Sequence, residues 1–333
     1  EALIAEEVEV VFGYPGGAIM NVYDEIYKQN GFQHIMARHE QAAVHAAEGY
    51  AKASGKVGVA MITSGPGFTN AITGIADAYM DSIPLVVISG QVPMSLIGTD
   101  AFQEIDAVGI SRPCTKHNYL VTDAADLARI LKEAFYLART GRPGPVHVDI
   151  PKDVTAQIAN FDYSKEVELE TYKPTVKGNA RQIKKAIEAI ASAKRPLLYL
   201  GGGIINANAA DLVREFSKMT QIPAVETFMA RGTLHHEDPL LISMLGMHGS
   251  YAANMAMSET DLVIGLGARF DDRVTGKLSE FAKHAQIIHV DIDPTSISKL
   301  VNAHLPIVGD VKNVLEAMIP LAKEQIDPMR YDA

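Results

Sequence analysis

VGVAMITSGPGFTNAITGIADAYM, residues 57–80, carries the decision about the fold. Residues 57–63 are small, apolar and partly β-branched, 64–67 form a glycine-proline turn, and 70–80 show helical spacing of apolar side chains. Strand, turn and helix in that order make one βα unit. The same alternation continues outward, with candidate strands at 8–12, 34–37, 85–89 and 145–150 and candidate helices at 19–29, 41–53 and 124–140. Asp123 stands where a capping side chain belongs, and Gly141 follows the end of the last helix. A mostly parallel sheet with crossover helices follows from this pattern.

The chain has 333 residues, enough for two domains of roughly 150 residues each. Its 47% hydrophobic and 21% charged residues describe a globular chain rather than a disordered or fibrous one. Forty acidic against thirty basic residues give a net charge of −10, which repels duplex phosphates and argues against a nucleic-acid partner. The one cysteine, Cys114, cannot close an internal disulfide. No apolar run approaches the roughly 18–20 residues needed to span a bilayer, and the first residues lack the pattern of a secretory signal, so neither a membrane nor export is expected. The opening at Glu1 reads as mid-helix, which implies residues upstream.

Apolar periodicity lapses around Lys165, Glu166, Glu168, Glu170 and Pro174, so 159–178 reads as a linker between a domain at 1–158 and another at 179–333. The second domain repeats the α/β pattern: helices at 180–193, 209–220 and 311–324, and strands at 196–200, 224–227, 262–265 and 287–291. Two consecutive doubly wound α/β domains are expected.

Two glycine-rich turns in the first domain, GYPGG at 13–17 and SGPG at 64–67, each follow a strand and precede a helix. Ligands of open α/β sheets collect at such turns, although a strand-to-helix turn also uses glycine for its own geometry. Glu40, in Arg38-His39-Glu40-Gln41, suits either a helix-start carboxylate favoured by the helix dipole or a group facing a ligand. Neither a GxSxG elbow nor an HExxH zinc pattern is present, since the histidine after His39 is His45. In the second domain Gly201-Gly202-Gly203 lacks the third glycine of a dinucleotide fingerprint, Asn206 standing in its place. Backbone amides and arginines at 265–273 suit a pyrophosphate, and Asp291 suits either a ribose hydroxyl or a solvated strand end.

Taken together, VFGYPGGAIMNVYD (11–24), ARHEQAAVHAAEGYAKASGKVGV (37–59), TSGPGFTNAITGIADAYMDSIPLVVISGQVP (63–93), IGTDAFQE (97–104), GRPGPVHVDIPKDV (141–154), LGMHG (245–249) and GLGARFDDRVTGKL (265–278) resemble one family. It is that of the catalytic large subunits of the thiamine-diphosphate-dependent acetohydroxyacid (acetolactate) synthases. RHEQ, SGPG and GQVP recur across thiamine-diphosphate enzymes, whereas GTDAFQE, GMHG and RFDDRVTG are narrower. The resemblance covers nearly the whole chain.

The resemblance implies a pyrimidine-binding domain followed by a central FAD-binding domain. Glu40 would hydrogen-bond the aminopyrimidine of thiamine diphosphate and promote loss of the thiazolium C2 proton. Pro66 and Asn70 would line the same pocket, and Gly17, Phe102 and Gln103 would border the reacting centre. Lys152 and Arg273 would line the substrate channel, Arg273 taking a carboxylate. FAD would be held by Arg142, Gly202, Gly203, Thr227 and Phe228, by Leu245, Gly246, Met247 and His248, and by Gly267, Ala268, Arg269, Phe270 and Asp271. Asp291, Ile292, Asp310 and Val311 complete that set. The implied reaction decarboxylates pyruvate to a hydroxyethyl carbanion and joins it to a second pyruvate or to 2-ketobutyrate, toward valine, leucine and isoleucine.

A homodimer or homotetramer, a small regulatory subunit, and a cytoplasmic (bacterial) or organellar (eukaryotic) location are also implied. The family's third domain carries GDG and an asparagine for Mg²⁺ and diphosphate; here Gly309-Asp310 is followed by Val311. The Mg²⁺ site is therefore expected outside these residues, with no metal ligands within them and no activity in the fragment alone. A pyruvate oxidase or a non-catalytic FAD- or partner-binding protein is the alternative.

Overall fold

Apolar runs flanked by glycine turns become twelve strands in the computed structural model, which describes residues 1–327. The chain divides into two units, Glu1–Tyr172 and Lys173–Ala333. In the first unit the strands are β1 (Val10–Gly13), β2 (Gln33–Met36), β3 (Gly58–Ile62), β4 (Leu85–Gln91), β5 (His117–Leu120) and β6 (Pro145–Pro151). They form one sheet in the order β2-β1-β3-β4-β6-β5, every pair parallel. Every residue of β3, β4 and β6 is buried, as expected of strands covered by helices on both faces. The edge strands β2 and β5 are short and partly exposed, a pattern that discourages pairing with another chain.

Val11, Val59, Met61, Val86, Ile88, Phe135 and Val148 form much of the first core. Phe135, on the helix Ala124–Arg139, is fully buried and contributes roughly 1.5–3 kcal/mol by burial. Asp123 caps that helix by accepting from the Ala125 amide at 2.9 Å. Tyr163, Leu169 and Tyr172, inside the stretch that reads as a linker, pack against this first core. The Tyr172 hydroxyl donates to the Thr140 carbonyl at 2.7 Å.

The second unit holds β7 (Pro196–Leu200), β8 (Ala224–Glu226), β9 (Leu241–Met244), β10 (Leu262–Leu266), β11 (Gln286–Asp291) and β12 (Leu305–Val308). All pairs are parallel, in the order β12-β11-β10-β7-β8-β9. Counted from its other edge this is 3-2-1-4-5-6, the doubly wound order that binds dinucleotides where strand direction of travel reverses, between β7 and β10. The helices Ala180–Ser192, Ala210–Thr220 and Val311–Gln325 bury Ile187, Phe216 and Met318 against one face of it. Among the described residues no helix is long and apolar enough to cross a membrane.

Candidate functional site

In the first sheet the order of travel reverses between β1 and β3, and both glycine turns leave the carboxyl ends of those two strands. Gly13 lies opposite Met61, and a Cβ on Gly13 would sit 2.3 Å from the Met61 carbonyl oxygen. A Cβ on Gly16 would meet Thr63 at 2.5 Å. Glycine is thus required for the GYPGG turn to lie against β3. Gly17 has nothing within 4 Å of where its Cβ would be and is exposed.

The SGPG turn opens the helix Pro66–Asp81, four residues earlier than the apolar spacing places it, with Pro66 at its first position. Gly65 has φ +57°, and its missing Cβ would lie 2.6 Å from the Gln103 carbonyl oxygen. The turn therefore brings the segment carrying Phe102 and Gln103 against it. Gln103 itself has φ +58°, Phe102 is 88% exposed, and the Gln103 side chain is exposed.

Glu40 begins the helix Glu40–Ser54, one residue after the N-cap His39, and is only 7% exposed. Its Oε2 accepts from Asn70 Nδ2 at 3.0 Å, and a Cβ on Gly67 would stand 3.3 Å from its Oε1. The Thr63 hydroxyl, buried beside Gly16 and Gly67, has no hydrogen-bond partner. The Tyr23 hydroxyl donates to the Met61 carbonyl at 3.0 Å, and burial, then the charge of Glu40, push that phenol above its ordinary range. A buried carboxylate held by an amide, beside an unsatisfied hydroxyl and glycine turns at a switch point, fits the polar edge of an aromatic heterocycle. Thr63 and Tyr23 lie within the quoted stretches 63–93 and 11–24, but only the fold reveals that they face Glu40's surroundings.

Glu40, Asn70, Pro66 and Gln103 are therefore gathered around one end of the first sheet. Lys152 is exposed just past β6, its amide donating to the Gln91 carbonyl at 3.0 Å. Arg142 also belongs to the first unit, where its Nε donates to Ser82 Oγ at 2.8 Å. His45, Glu48 and Asp77 offer three potential ligand atoms within 4.8 Å of one another. Lys52, 2.8 Å from Glu48 and 2.9 Å from Asp81, already supplies the cation there.

In the second unit the switch point lies between the turns after β7 and β10. The Gly201 amide donates to the Leu266 carbonyl and the Gly203 amide to the Gly267 carbonyl, both at 3.0 Å. Cβ atoms on Gly201 and Gly203 would fall 2.2 Å from the Gly267 oxygen and 2.7 Å from its Cα, and Gly267 has φ +59°. Beside them Tyr199 OH, Thr227 Oγ1 and His289 Nδ1 are buried without partners. His289 Nε2 lies 2.8 Å from the Ala268 carbonyl, so that nitrogen carries the proton and Nδ1 presents a lone pair. Burial lowers the His289 pKa to about 4, which keeps the ring neutral.

LGMHG and RFDDRVTG, far apart in sequence, meet here: the Met247 amide donates to the Arg273 carbonyl at 2.8 Å, and Asn254 bonds Gly246 through both its amide atoms. Phe228, Met247, His248, Arg269 and Arg273 are exposed, while Phe270 is buried edge-on against Tyr199 and His289. Asp271 and Asp310 cap helices, accepting from Arg273 N at 3.0 Å and Asn313 N at 3.2 Å. Asp291 Oδ1 accepts from the Asp293 amide at 2.8 Å beside Ile292, and Val311 is buried in the core. The touching glycine turns and three orphaned polar atoms fit a dinucleotide. Tyr199, His289 and Asn254 were not singled out by sequence.

Comparison with known proteins agrees with this division. The family model "Thiamine pyrophosphate enzyme, N-terminal TPP binding domain" matches residues 1–110, and "Thiamine pyrophosphate enzyme, central domain" matches 183–318. The chain is 53% identical over 329 residues to the acetolactate synthase large subunit of Haemophilus influenzae, covering 98% of this chain and 57% of that protein. Over 326 residues it is 52% identical to the acetolactate synthase large subunit of Buchnera aphidicola subsp. Schizaphis graminum and 50% identical to the acetolactate synthase isozyme 3 large subunit of Escherichia coli K12. These two alignments likewise cover 97% of this chain and 57% of each relative. The chain thus spans a little over half the length of the relatives it matches.

Proposed function

Because the chain belongs to the thiamine pyrophosphate enzymes, with the N-terminal and central domains of an acetolactate synthase large subunit, we propose that its protein makes acetolactate. Pyruvate would lose carbon dioxide, and the remaining two-carbon unit would join a second pyruvate or 2-ketobutyrate. Thiamine diphosphate, when bound, supplies the carbon nucleophile for the ketoacid carbonyl and the electron sink for decarboxylation. The observation that carries the reading is the buried Glu40 carboxylate, held by Asn70 at 3.0 Å beside the unsatisfied Thr63 hydroxyl, at the switch point of the domain matched as TPP-binding.

In this reading Glu40 exchanges a proton with a ring nitrogen of the pyrimidine, and Asn70 fixes which carboxylate oxygen faces it. Pro66 and the Thr63 hydroxyl shape the same wall. The Gly17 amide and the Gln103 side chain donate to oxygens of the reacting substrate, and Phe102 excludes water from it. Lys152 adds positive charge near this end of the first sheet, and in the second unit the exposed Arg273 guanidinium offers a two-point contact to a carboxylate.

The second crevice would hold FAD through the Gly201 and Gly267 turns, the Thr227 hydroxyl and Asp291, in a structural capacity. Mg²⁺ and the diphosphate rest, in this reading, on residues beyond those described here. The protein would work in the cytoplasm as a homo-oligomer with a small regulatory subunit, as the name "large subunit" of its relatives suggests. Product analysis of the full-length protein with pyruvate, thiamine diphosphate, Mg²⁺ and FAD tests the proposal. Acetolactate supports it; acetate or acetaldehyde without acetolactate overturns it.

A further inference from the structure

Beneath the first crevice lies a row of polar side chains that the proposed chemistry does not use. Ser89 and Gln91 on β4, His147 and Asp149 on β6, and Ser111 at the end of the helix Ala107–Ser111 are each no more than 3% exposed. Their donors and acceptors run in one direction. Ser89 Oγ donates to Asp149 Oδ1 at 2.5 Å, so it accepts from His147 Nε2 at 2.7 Å. His147 Nδ1 then accepts from Ser111 Oγ at 3.0 Å, and Ser111 accepts from Asn118 Nδ2 at 3.2 Å.

Gln91 is committed at every polar atom. One hydrogen of Nε2 goes to Asp149 Oδ2 at 3.0 Å and the other to the Ile105 carbonyl at 2.9 Å, while Oε1 accepts from the Val92 amide at 2.9 Å. An amide flip breaks all three bonds, setting Nε2 against the Val92 amide and Oε1 against the Ile105 carbonyl, so these partners together fix which way Gln91 points. Ile105 lies two residues past Gln103. The row also touches the facing wall: the Phe68 ring, on the helix that follows SGPG, stacks on His147 at 4.3 Å. Within the loop, Glu104 accepts from the amides of Gly98 and Ala101. The loop 98–105 is thus braced internally by Glu104, against Gly65 by close packing, and to the sheet by Gln91.

We infer that Gln91 and Asp149 are positioning residues that tie Ile105 to the sheet and so set where the loop presents Phe102 and Gln103. The inference rests on the proposed role of Gln103 at the reacting centre. A 1 Å misplacement of a reacting group costs up to about 100-fold, so loosening this tie should be felt in turnover.

A double-mutant cycle in the full-length protein tests it, with Gln91→Met, Gln103→Ala and the pair, following kcat, KM for pyruvate and the ratio of acetolactate to acetaldehyde. Gln91→Met should lower kcat about tenfold or more and shift the product ratio in the same direction as Gln103→Ala. The double variant should be no worse than Gln103→Ala alone within about twofold. If the two losses multiply, or folded Gln91→Met turns over normally, the positioning role is wrong while the reading of Gln103 stands. If Gln103→Ala is itself normal, that reading fails and the positioning role falls with it. Should Gln91→Met not fold, Asp149→Asn, which keeps the side chain's shape but adds a donor facing Gln91, completes the same cycle with the same criteria.

Discussion

Gly65→Ala puts a methyl group where the fold has left no room. Gly65 sits at φ +57°, ψ −120°, a region open essentially to glycine alone, and its Cβ would lie 2.6 Å from the Gln103 oxygen and 2.8 Å from the Gln103 carbonyl carbon. Backbone strain of about 1–3 kcal/mol and overpacking of about 1–3 kcal/mol together give roughly 2–6 kcal/mol. For a unit the size of Glu1–Tyr172, that lowers the thermal midpoint by roughly 5–20 °C. Gly55→Ala is the internal control, because Gly55 also has a positive φ, +72°, but has nothing within 4 Å of its Cβ. It should cost only about 1 kcal/mol. Differential scanning calorimetry of both variants, with acetolactate turnover of the folded protein, separates strain from contact. If Gly65→Ala lies within about 0.5 kcal/mol of Gly55→Ala and turns over normally, the close approach of the SGPG turn to the Gln103 segment is wrong.

Gly203→Ala should open the paired turns of the second unit, since its Cβ would stand 2.7 Å from the Gly267 Cα; the full-length protein should be purified with less bound flavin, read from its absorbance, and undiminished flavin would count against that crevice. The pH dependence of stability carries two opposing signatures. His147 and His289, lowered by burial to about 3 and about 4, bind a proton less readily folded than unfolded. Their contribution is complete above about pH 6.5 and is lost as the pH falls toward those values. Burial raises Asp149 to about 7, so the folded protein favours its protonated form and loses this contribution as the pH rises from about 4 to about 7. Asp149→Asn removes that last slope: in urea unfolding, the variant's stability relative to the parent should be higher at pH 8 than at pH 4, and a difference independent of pH would contradict the assignment.

How much of this was legible beforehand follows from burial. The central strands β3, β4, β7 and β10 are buried along their whole length, so their sequences are apolar runs and their positions could be read directly. Of the four edge strands only β2, matching the run at 34–37, could be read; the other three could not. His117–Leu120 alternates ring and amide side chains, Leu241–Met244 is half-buried beside a register irregularity, and Leu305–Val308 contains a proline tolerated only because it lies at the edge. At the site, the glycine turns announced themselves through composition. The state of Glu40 did not, because a carboxylate opening a helix looks the same in sequence whether solvated or enclosed. Its enclosure depends on Asn70 and Gly67, thirty and twenty-seven residues away along the chain, arriving from the next βα unit. The unsatisfied atoms of Thr63 and His289 are likewise products of packing and leave no pattern in sequence.

The most direct test of the proposed chemistry is acetolactate formation by the full-length protein carrying Glu40→Gln. Glutamine keeps the shape of the side chain and its contact with Asn70 but cannot exchange a proton with the pyrimidine. Turnover should fall by about 100-fold or more at saturating thiamine diphosphate, with the variant folded and still able to bind the cofactor. Turnover within a few-fold of the parent would contradict the role assigned to Glu40 and, with it, the reading of the first crevice.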